Sequence, residues 1–475
     1  MEIEFFGAAG EVTGSCHILR LQGRTVLLDC GLIQGSRKDE ARNFGPFPFD
    51  ATALDAVVLS HAHLDHCGRL PLLVKRGFRG PVFAHEASCE LAAILLADAA
   101  HLAERDAEYQ SRKTGKQVKP LYTVAEGEAV LRQMRSMKYR QKFTVVPGVQ
   151  ACFRDAGHIL GSCSVELWME ENGLKRNIVF SGDLGQYDTP ILNDPECIAD
   201  ADLVLMESTY GGRRHRDRKQ TVQELGEIIS AARAAKGNIL IPAFAIGRSQ
   251  EVLYLLAKHH DEWGLQRFRI FLDSPMAIEA SKVYWNNTQL HDEEARLLRL
   301  ENGSISTLPN LKLSRSSEDS MAINLIRSGA IIIAGSGMCN GGRIVHHLKH
   351  NLGQAQNQVI IVGYQAFGTL GRKLVDGFDS VRIHGEQVPV RAKIHTVGGL
   401  SAHGDQEDLA RWYECMTKRQ PASPPPVNPP PVYLVHGERE TQMQFKDYLH
   451  SRYGTAVHLP DAGQRLDLGT LSLVA

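Results

Sequence analysis

Long apolar runs are missing from this chain. No stretch approaches the ~20 consecutive apolar residues of a membrane-spanning helix, so a membrane role through such a helix is not expected. The start does not read as a leader either. Met1-Glu2-Ile3-Glu4-Phe5 carries no basic region followed by a long apolar one, so no secretory signal is expected. A charge bias is also missing: 53 Lys and Arg oppose 54 Asp and Glu, for a net charge of -1. That excludes a global basic field for nucleic acid or anionic membrane, and any polyanion must be held by a local cleft. Finally, there is no C-x-x-C pair. The nine cysteines are scattered and odd in number, which predicts free thiols in a reducing, cytoplasmic compartment and no disulfide framework. The apolar and charged fractions are those of an ordinary globular protein. At 475 residues the chain is too long for one core, so two or three domains are expected.

What the chain has is histidine in one place. Ser60-His61-Ala62-His63-Leu64-Asp65-His66 sets three imidazoles and a carboxylate directly after the apolar run Ala56-Val57-Val58-Leu59, which reads as a buried strand. A helix is predicted over Leu70 to Lys75. Imidazole nitrogen and carboxylate oxygen so close together compete unless a cation neutralises them, and they suit Zn²⁺ as well as Mn²⁺ or Fe²⁺.

The same texture repeats. Thr25-Val26-Leu27-Leu28 delivers Asp29, either a ligand or, the favoured reading, a carboxylate that orients a ligand histidine. Ala151 to Phe153 leads to His158 between Gly157 and Gly161, Asn177 to Phe180 leads to Asp183, and Leu203 to Met206 ends in Glu207. Five polar strand ends (Asp29, His61, His158, Asp183 and Glu207) are expected along one rim of a sheet. Helices are predicted over Ala87 to Tyr109 and Ala125 to Met137. Arg112 to Lys119 reads as a basic turn, most simply a solvated face.

From Thr221 strands alternate with helices. Asn238 to Ala245, Phe268 to Leu272, Ala330 to Ala334 and Gln358 to Val362 read as strands of a parallel, right-handed α/β domain over 208–375. The turn Gly335-Ser336-Gly337-Met338-Cys339-Asn340-Gly341-Gly342 lies at a strand–helix junction. It is a structural tight turn or a cradle for backbone phosphates, the latter aided by Ser336, Gly337, Arg248, Arg343 and Arg372. It departs from the dinucleotide fingerprint, because its third glycine comes one residue late. The first texture then returns with His403 in Ser401-Ala402-His403 and His436 after Val432-Tyr433-Leu434-Val435. The proline-rich spacer 421–431 lies between them. His395 reads as structural. The chain is therefore expected to hold a metal-binding domain, 1–207 and 376–475, split by an inserted domain, 208–375, with the substrate cleft between them.

These residues resemble the metallo-β-lactamase superfamily: Asp29, then His-x-His-x-Asp-His at 61 to 66, then His158, then Asp183. Glu207, His403 and His436 look like motifs A, B and C of its β-CASP nucleases, and His436 points to the RNA-processing members rather than the DNA-directed branch. The resemblance implies an αββα sandwich with an inserted parallel α/β (β-CASP) domain. It implies two divalent ions, zinc first and manganese second, with His61, His63 and His158 on one, Asp65, His66 and His436 on the other, and Asp183 bridging. It implies a zinc-dependent ribonuclease acting on single-stranded RNA and leaving 5′-phosphate and 3′-hydroxyl ends, with His403 as general acid and Glu207 as its partner, and Asp65 counted with them in the catalytic set. Endonuclease action is favoured over 5′-to-3′ exonuclease action. Two rivals are a metallo-hydrolase of a small thioester or lactam and a non-catalytic RNA-binding subunit. No membrane partner is expected, and a homodimer is left open.

Overall fold

The structure, a computed structural model, describes residues 1–302, 308–366, 368–417 and 429–474. Most of the proline-rich spacer, 421–428, lies outside the described residues. The chain forms two compact units. One comprises Met1–Thr189, Asp194–Arg214 and His403–Ala475, and the other Pro190–Asn193 and His215–Ala402.

The first unit holds two sheets. One has eight strands in the order Ser472–Val474, Arg465–Asp467, Glu2–Gly7, Cys16–Leu21, Arg24–Leu28, Ala56–Val58, Val82–His85, Met134–Met137. The other has seven, in the order Val457–His458, Val432–Val435, Leu203–Glu207, Leu174–Phe180, Cys163–Glu171, Val149–Asp155, Lys142–Val146. The period-two alternation of strand side chains decides what each face buries. Ile178 and Phe180, Leu203 and Leu205, and Tyr433 and Val435 point into a core shared with Ile3, Phe5, Leu19, Val26, Leu28 and Val58 of the other sheet. Their neighbours Val179, Val204, Met206, Val432 and Leu434 face the opposite way. They pack under the helices Gln406–Thr417 and Arg439–Tyr453 through Leu409, Trp412, Tyr413, Phe445 and Leu449. Both faces are buried, so these strands read as continuous apolar runs.

Two local expectations change. The stretch predicted as one helix to Met137 is a helix over Val124–Gln133 followed by a strand, Met134–Met137, which pairs in parallel with Val82–His85 at the sheet edge. Pairing with a neighbour distant in sequence overrides the helical preference of that stretch. The long helix spans Glu86–Thr114 and ends on left-handed Gly115, so the start of the basic turn is helix.

The cysteines also depart from expectation. Cys197 and Cys415 form a disulfide with Cα atoms 5.7 Å apart, while the other seven thiols are free. The partners are 218 residues apart, so spacing carries no sign of the pair. They meet because the helix Gln406–Thr417 packs on the segment holding Glu196, whose carbonyl accepts a hydrogen bond from Trp412 Nε1 at 3.1 Å.

The second unit is built on a six-stranded, wholly parallel sheet in the order Leu311–Leu313, Arg269–Leu272, Ala330–Ala334, Ile239–Pro242, Gln358–Ile361, Lys393–Thr396. It extends past residue 375, where the sequence places its end. The hairpin Ser380–Ile383/Glu386–Pro389 buries Val381, Ile383 and Val388 in this unit's core, and Lys393–Thr396 is the sheet's last strand. His395 belongs to that strand, with Nε2 2.7 Å from Gln358 Oε1. Its resemblance to the histidine-rich texture of the first unit is therefore coincidental.

Candidate metal centre

Six loops or strand ends of the first unit deliver the polar cluster. They belong to two sheets and not to one rim. Asp29 and His61 follow strands of the eight-stranded sheet, and His158, Asp183, Glu207 and His436 end or follow strands of the seven-stranded one.

Asp29 organises the first loop. It is fully buried in a left-handed conformation (φ 61°). Its Oδ1 accepts a hydrogen bond from the Ser60 amide at 2.7 Å, and its Oδ2 accepts from the hydroxyls of Ser60 at 2.9 Å and Ser15 at 3.1 Å. The same Oδ2 lies 2.7 Å from His66 Nδ1. That contact fixes the ring and leaves Nε2 facing the cluster. Ser15 and Ser60 were not singled out from sequence, although Ser60 sits inside the histidine motif.

Two groups of ligand atoms converge. His61 Nε2 and His158 Nε2 each lie 3.1 Å from His63 Nδ1 and 3.6 Å from Asp183 Oδ2. Beside them, His66 Nε2 lies 3.1 Å from His436 Nε2, which is 3.5 Å from Asp65 Oδ2, and Asp183 Oδ2 reaches His66 Nε2 at 3.2 Å. Within each of the sets His61, His63, His158, Asp183 and Asp65, His66, His436, one atom per residue lies within 4.8 Å of the others. His436 is held by its amide on the Ala8 carbonyl at 2.7 Å and by Thr209 Oγ1, 3.1 Å from Nδ1. Thr209 is another contributor that spacing alone does not flag.

The cluster can bind a metal ion, and its electrostatics fit one. Both carboxylate oxygens of Asp183 are buried and face imidazole nitrogens, Oδ2 at 3.2 Å from His66 Nε2 and Oδ1 at 3.4 Å from His436 Nδ1. Three imidazole nitrogens converge at 3.1 Å, a spacing that N–H donation cannot satisfy for all of them at once. Burial pushes His63 down to about 4, and burial together with His66 pushes His61 well below the ordinary imidazole range. Burial opposes ionisation of Asp183 and Asp65, but the surrounding imidazoles outweigh it and hold both carboxylates below their usual range. At His66 burial also disfavours the charge, but Asp183 and Asp29 outweigh it and raise its pKa well above the ordinary imidazole range. The neutral imidazole of a ligand set is thus found at His61 and His63 and the ionised carboxylate at Asp183 and Asp65.

At the edge stands His403, its side chain about 21% exposed. Its Nδ1 lies 3.2 Å from Glu207 Oε1 and 3.9 Å from Asp183 Oδ2. Burial disfavours its charge, yet Glu207 and Asp183 push its pKa up to about 9. Glu207 is fully buried and locked. Its Oε1 accepts from the Leu184 amide at 2.6 Å, its Oε2 from the Thr209 amide at 3.2 Å.

The residues expected to meet phosphates all belong to the inserted unit, and their charges are committed. Arg248 is buried against Glu251. Arg343 donates to Asp273 Oδ1 at 2.7 Å and to the Ser314 and Arg315 carbonyls, and Arg372 Nε lies 2.9 Å from Asp376. Ser336 Oγ accepts from the Asn340 and Gly341 amides and so closes the glycine turn on itself, while Gly337 lies against the Phe244 ring, where a Cβ would clash.

Family models match along the chain: a β-lactamase superfamily domain over residues 24–243, a Beta-Casp domain over 249–374, and a Zn-dependent metallo-hydrolase RNA specificity domain over 387–460. A ribonuclease of Thermus thermophilus is 40% identical over 464 residues, covering 98% of this chain and 99% of that protein. The chain belongs to the β-CASP family of the metallo-β-lactamase superfamily. Among other β-CASP-like relatives, the transcription termination factor FttA of Methanocaldococcus jannaschii is 28% identical over 97% of this chain and 70% of its own length. A solved protein of unknown function from Enterococcus faecalis shares the fold, with a TM-score of 0.54 at 11% identity over 98% of this chain and 99% of that one. The Beta-Casp match, 249–374, lies within the unit with the parallel sheet, and the cluster of histidines and aspartates lies wholly in the other unit.

Proposed function

We propose that this β-CASP protein is a metal-dependent ribonuclease that hydrolyses phosphodiester bonds of single-stranded RNA, acting as an endonuclease. The observation that carries the reading is the pairing of the convergent ligand set with an imidazole, His403, whose Nδ1 lies 3.2 Å from the buried Glu207 at the set's exposed edge. The high similarity to a curated ribonuclease supports RNA as the substrate. His61, His63, His158 and Asp183 would hold one divalent ion, and Asp65, His66 and His436 a second, shared through Asp183. Zinc suits this all-nitrogen and oxygen donor set, with manganese as the next choice. Bound there, such ions supply Lewis-acid polarisation of the phosphodiester and a water activated at neutral pH.

The chain's own residues do the rest. Asp29 and Thr209 fix the rings of His66 and His436. Glu207 holds Nδ1 of His403 and keeps the ring protonated at neutral pH. His403 then donates its proton to the departing 3′ oxygen, which leaves 5′-phosphate and 3′-hydroxyl ends. No helix among the described residues is long and apolar enough to cross a membrane, and a cytoplasmic location is proposed together with the RNA substrate.

The test uses end-labelled single-stranded RNA, a circular RNA of the same sequence, matching DNA and a generic thioester, each incubated with metal-loaded protein. Cleavage of both RNAs is expected, the circular one showing that no free end is needed. A thioester turned over while RNA stays whole would transfer the site to small-molecule hydrolysis. RNA bound but never cut would make the protein a binding subunit.

A further inference from the structure

The inserted unit carries a second group of histidines, remote in sequence from the residues assigned above. His346 and His350 lie on the helix Arg343–Asn351. The spacing of four sets both on one helical face, the arrangement by which paired histidines chelate zinc. Both are exposed, whereas His347 between them is buried against Asp273 and Asn324. A third imidazole approaches from another element. His384 occupies the turn of the hairpin Ser380–Ile383/Glu386–Pro389 in a left-handed conformation (φ 49°). Its ring stacks on that of His346, with centroids 4.5 Å apart and planes inclined by 30°.

The hairpin is held in place from two sides. Beneath it, Val381, Ile383 and Val388 pack with Val345 and Leu348 of the helix. Above, Lys349 Nζ bonds Glu386 Oε1 at 2.7 Å, between the two helical histidines. The turn carrying His384 is therefore fixed over the helix face before any ligand arrives.

We propose that His346, His350 and His384 form an accessory binding site for a late first-row divalent cation, separate from the hydrolytic centre. Imidazole suits zinc, nickel and copper, and three nitrogens with water complete the coordination of such an ion. The rings of His346 and His384 stack in this structure, so ligation calls for rotation of these exposed side chains and of His350 about their own bonds. Partial burial and the neighbouring His384 lower the pKa of His346, and partial burial and Lys349 lower that of His350. Neutral rings release no proton on binding. The ion would staple the hairpin to the helix in the β-CASP unit.

The experiment counts two metals separately. Full-length protein is loaded with zinc, desalted, and dialysed against micromolar Ni²⁺, and both metals are measured by mass spectrometry. One nickel per chain is expected, with the zinc count unchanged. His346→Ala/His384→Ala is expected to lower nickel occupancy at the same free concentration by at least about tenfold. Its melting temperature without nickel and its RNA cleavage before nickel addition should match the wild type. Equal nickel uptake by wild type and double variant, or nickel gained only as zinc is lost, would overturn the proposal. Unchanged uptake by His350→Ala would overturn the three-ligand set.

Discussion

His403 Nδ1 and Glu207 Oε1 stand 3.2 Å apart, one ring at the edge of the metal centre and the other group fully buried behind it. The carboxylate cannot follow the ring if it moves, because the amides of Leu184 and Thr209 hold both its oxygens. The imidazole is thus fixed and charged by a partner that never meets solvent.

That relationship separates chemistry from metal binding. His403→Ala should retain its full metal content and lose about 10²–10⁴-fold in RNA cleavage, the usual worth of a general acid. Metal content by mass spectrometry and single-turnover cleavage check it together. Loss of metal in this variant would mean that His403 is a ligand.

Asp29 gives the opposite signature. Asp29→Ala frees His66 Nδ1 and the hydroxyls of Ser15 and Ser60. Metal affinity should fall by about 10–100-fold. Competition with a chelator of known affinity measures it, and excess metal should restore much of the activity.

His436 tests whether the two ligand groups act as two sites. His436→Ala removes one member of the Asp65, His66, His436 set and none of the His61, His63, His158 set. The variant should bind one ion per chain tightly and a second weakly. A stoichiometry that falls to zero would show a single indivisible cluster.

A fourth expectation concerns stability in the inserted unit. Asp273 is fully buried and bonded to His347 Nε2, Ser320 Oγ and Arg343 Nη1. Burial raises its pKa, but these three partners outweigh it and hold the carboxyl below its usual value. A group with a depressed folded pKa stabilises above its unfolded value, about 3.9, and that contribution is lost as the pH falls through the folded value. Asp273→Asn should therefore flatten the acid limb of the stability curve. At neutral pH it should cost about 3–5 kcal/mol, because Arg343 loses its buried counter-charge and His347 its carboxylate hydrogen-bond partner. Denaturant unfolding at pH 7 and at a series of pH values from about 4 down to about 2 measures both.

The histidine motif and the strands that deliver its partners were legible because an apolar run ending in a single polar residue is a local pattern. The insertion was legible too, since alternating strands and helices announce a parallel sheet. What escaped the sequence was pairing across long separations. Met134–Met137 became a strand only because Val82–His85 lay beside it. Lys393–Thr396 joined the parallel sheet although His395 resembled the other unit's texture. Cys197 met Cys415 through helix packing. Nor does the sequence show that Arg248, Arg343 and Arg372 lie beside the carboxylates Glu251, Asp273 and Asp376, which are ordinary residues until the fold is known.

A ribonuclease is synthesised on RNA, and the order of its ligands along the chain bears on that. The strand Val432–Val435 pairs with Leu203–Glu207, and His436 at its end completes the second ligand group. His403 also comes late. On the ribosome, residues 1–207, which hold most of the ligands, emerge while His403 and His436 are still untranslated. On the proposed mechanism, cutting begins only after the inserted unit and the last strand of the seven-stranded sheet have been made. The placement of His403 and His436 after the inserted unit thus leaves the site incomplete until that unit has been translated.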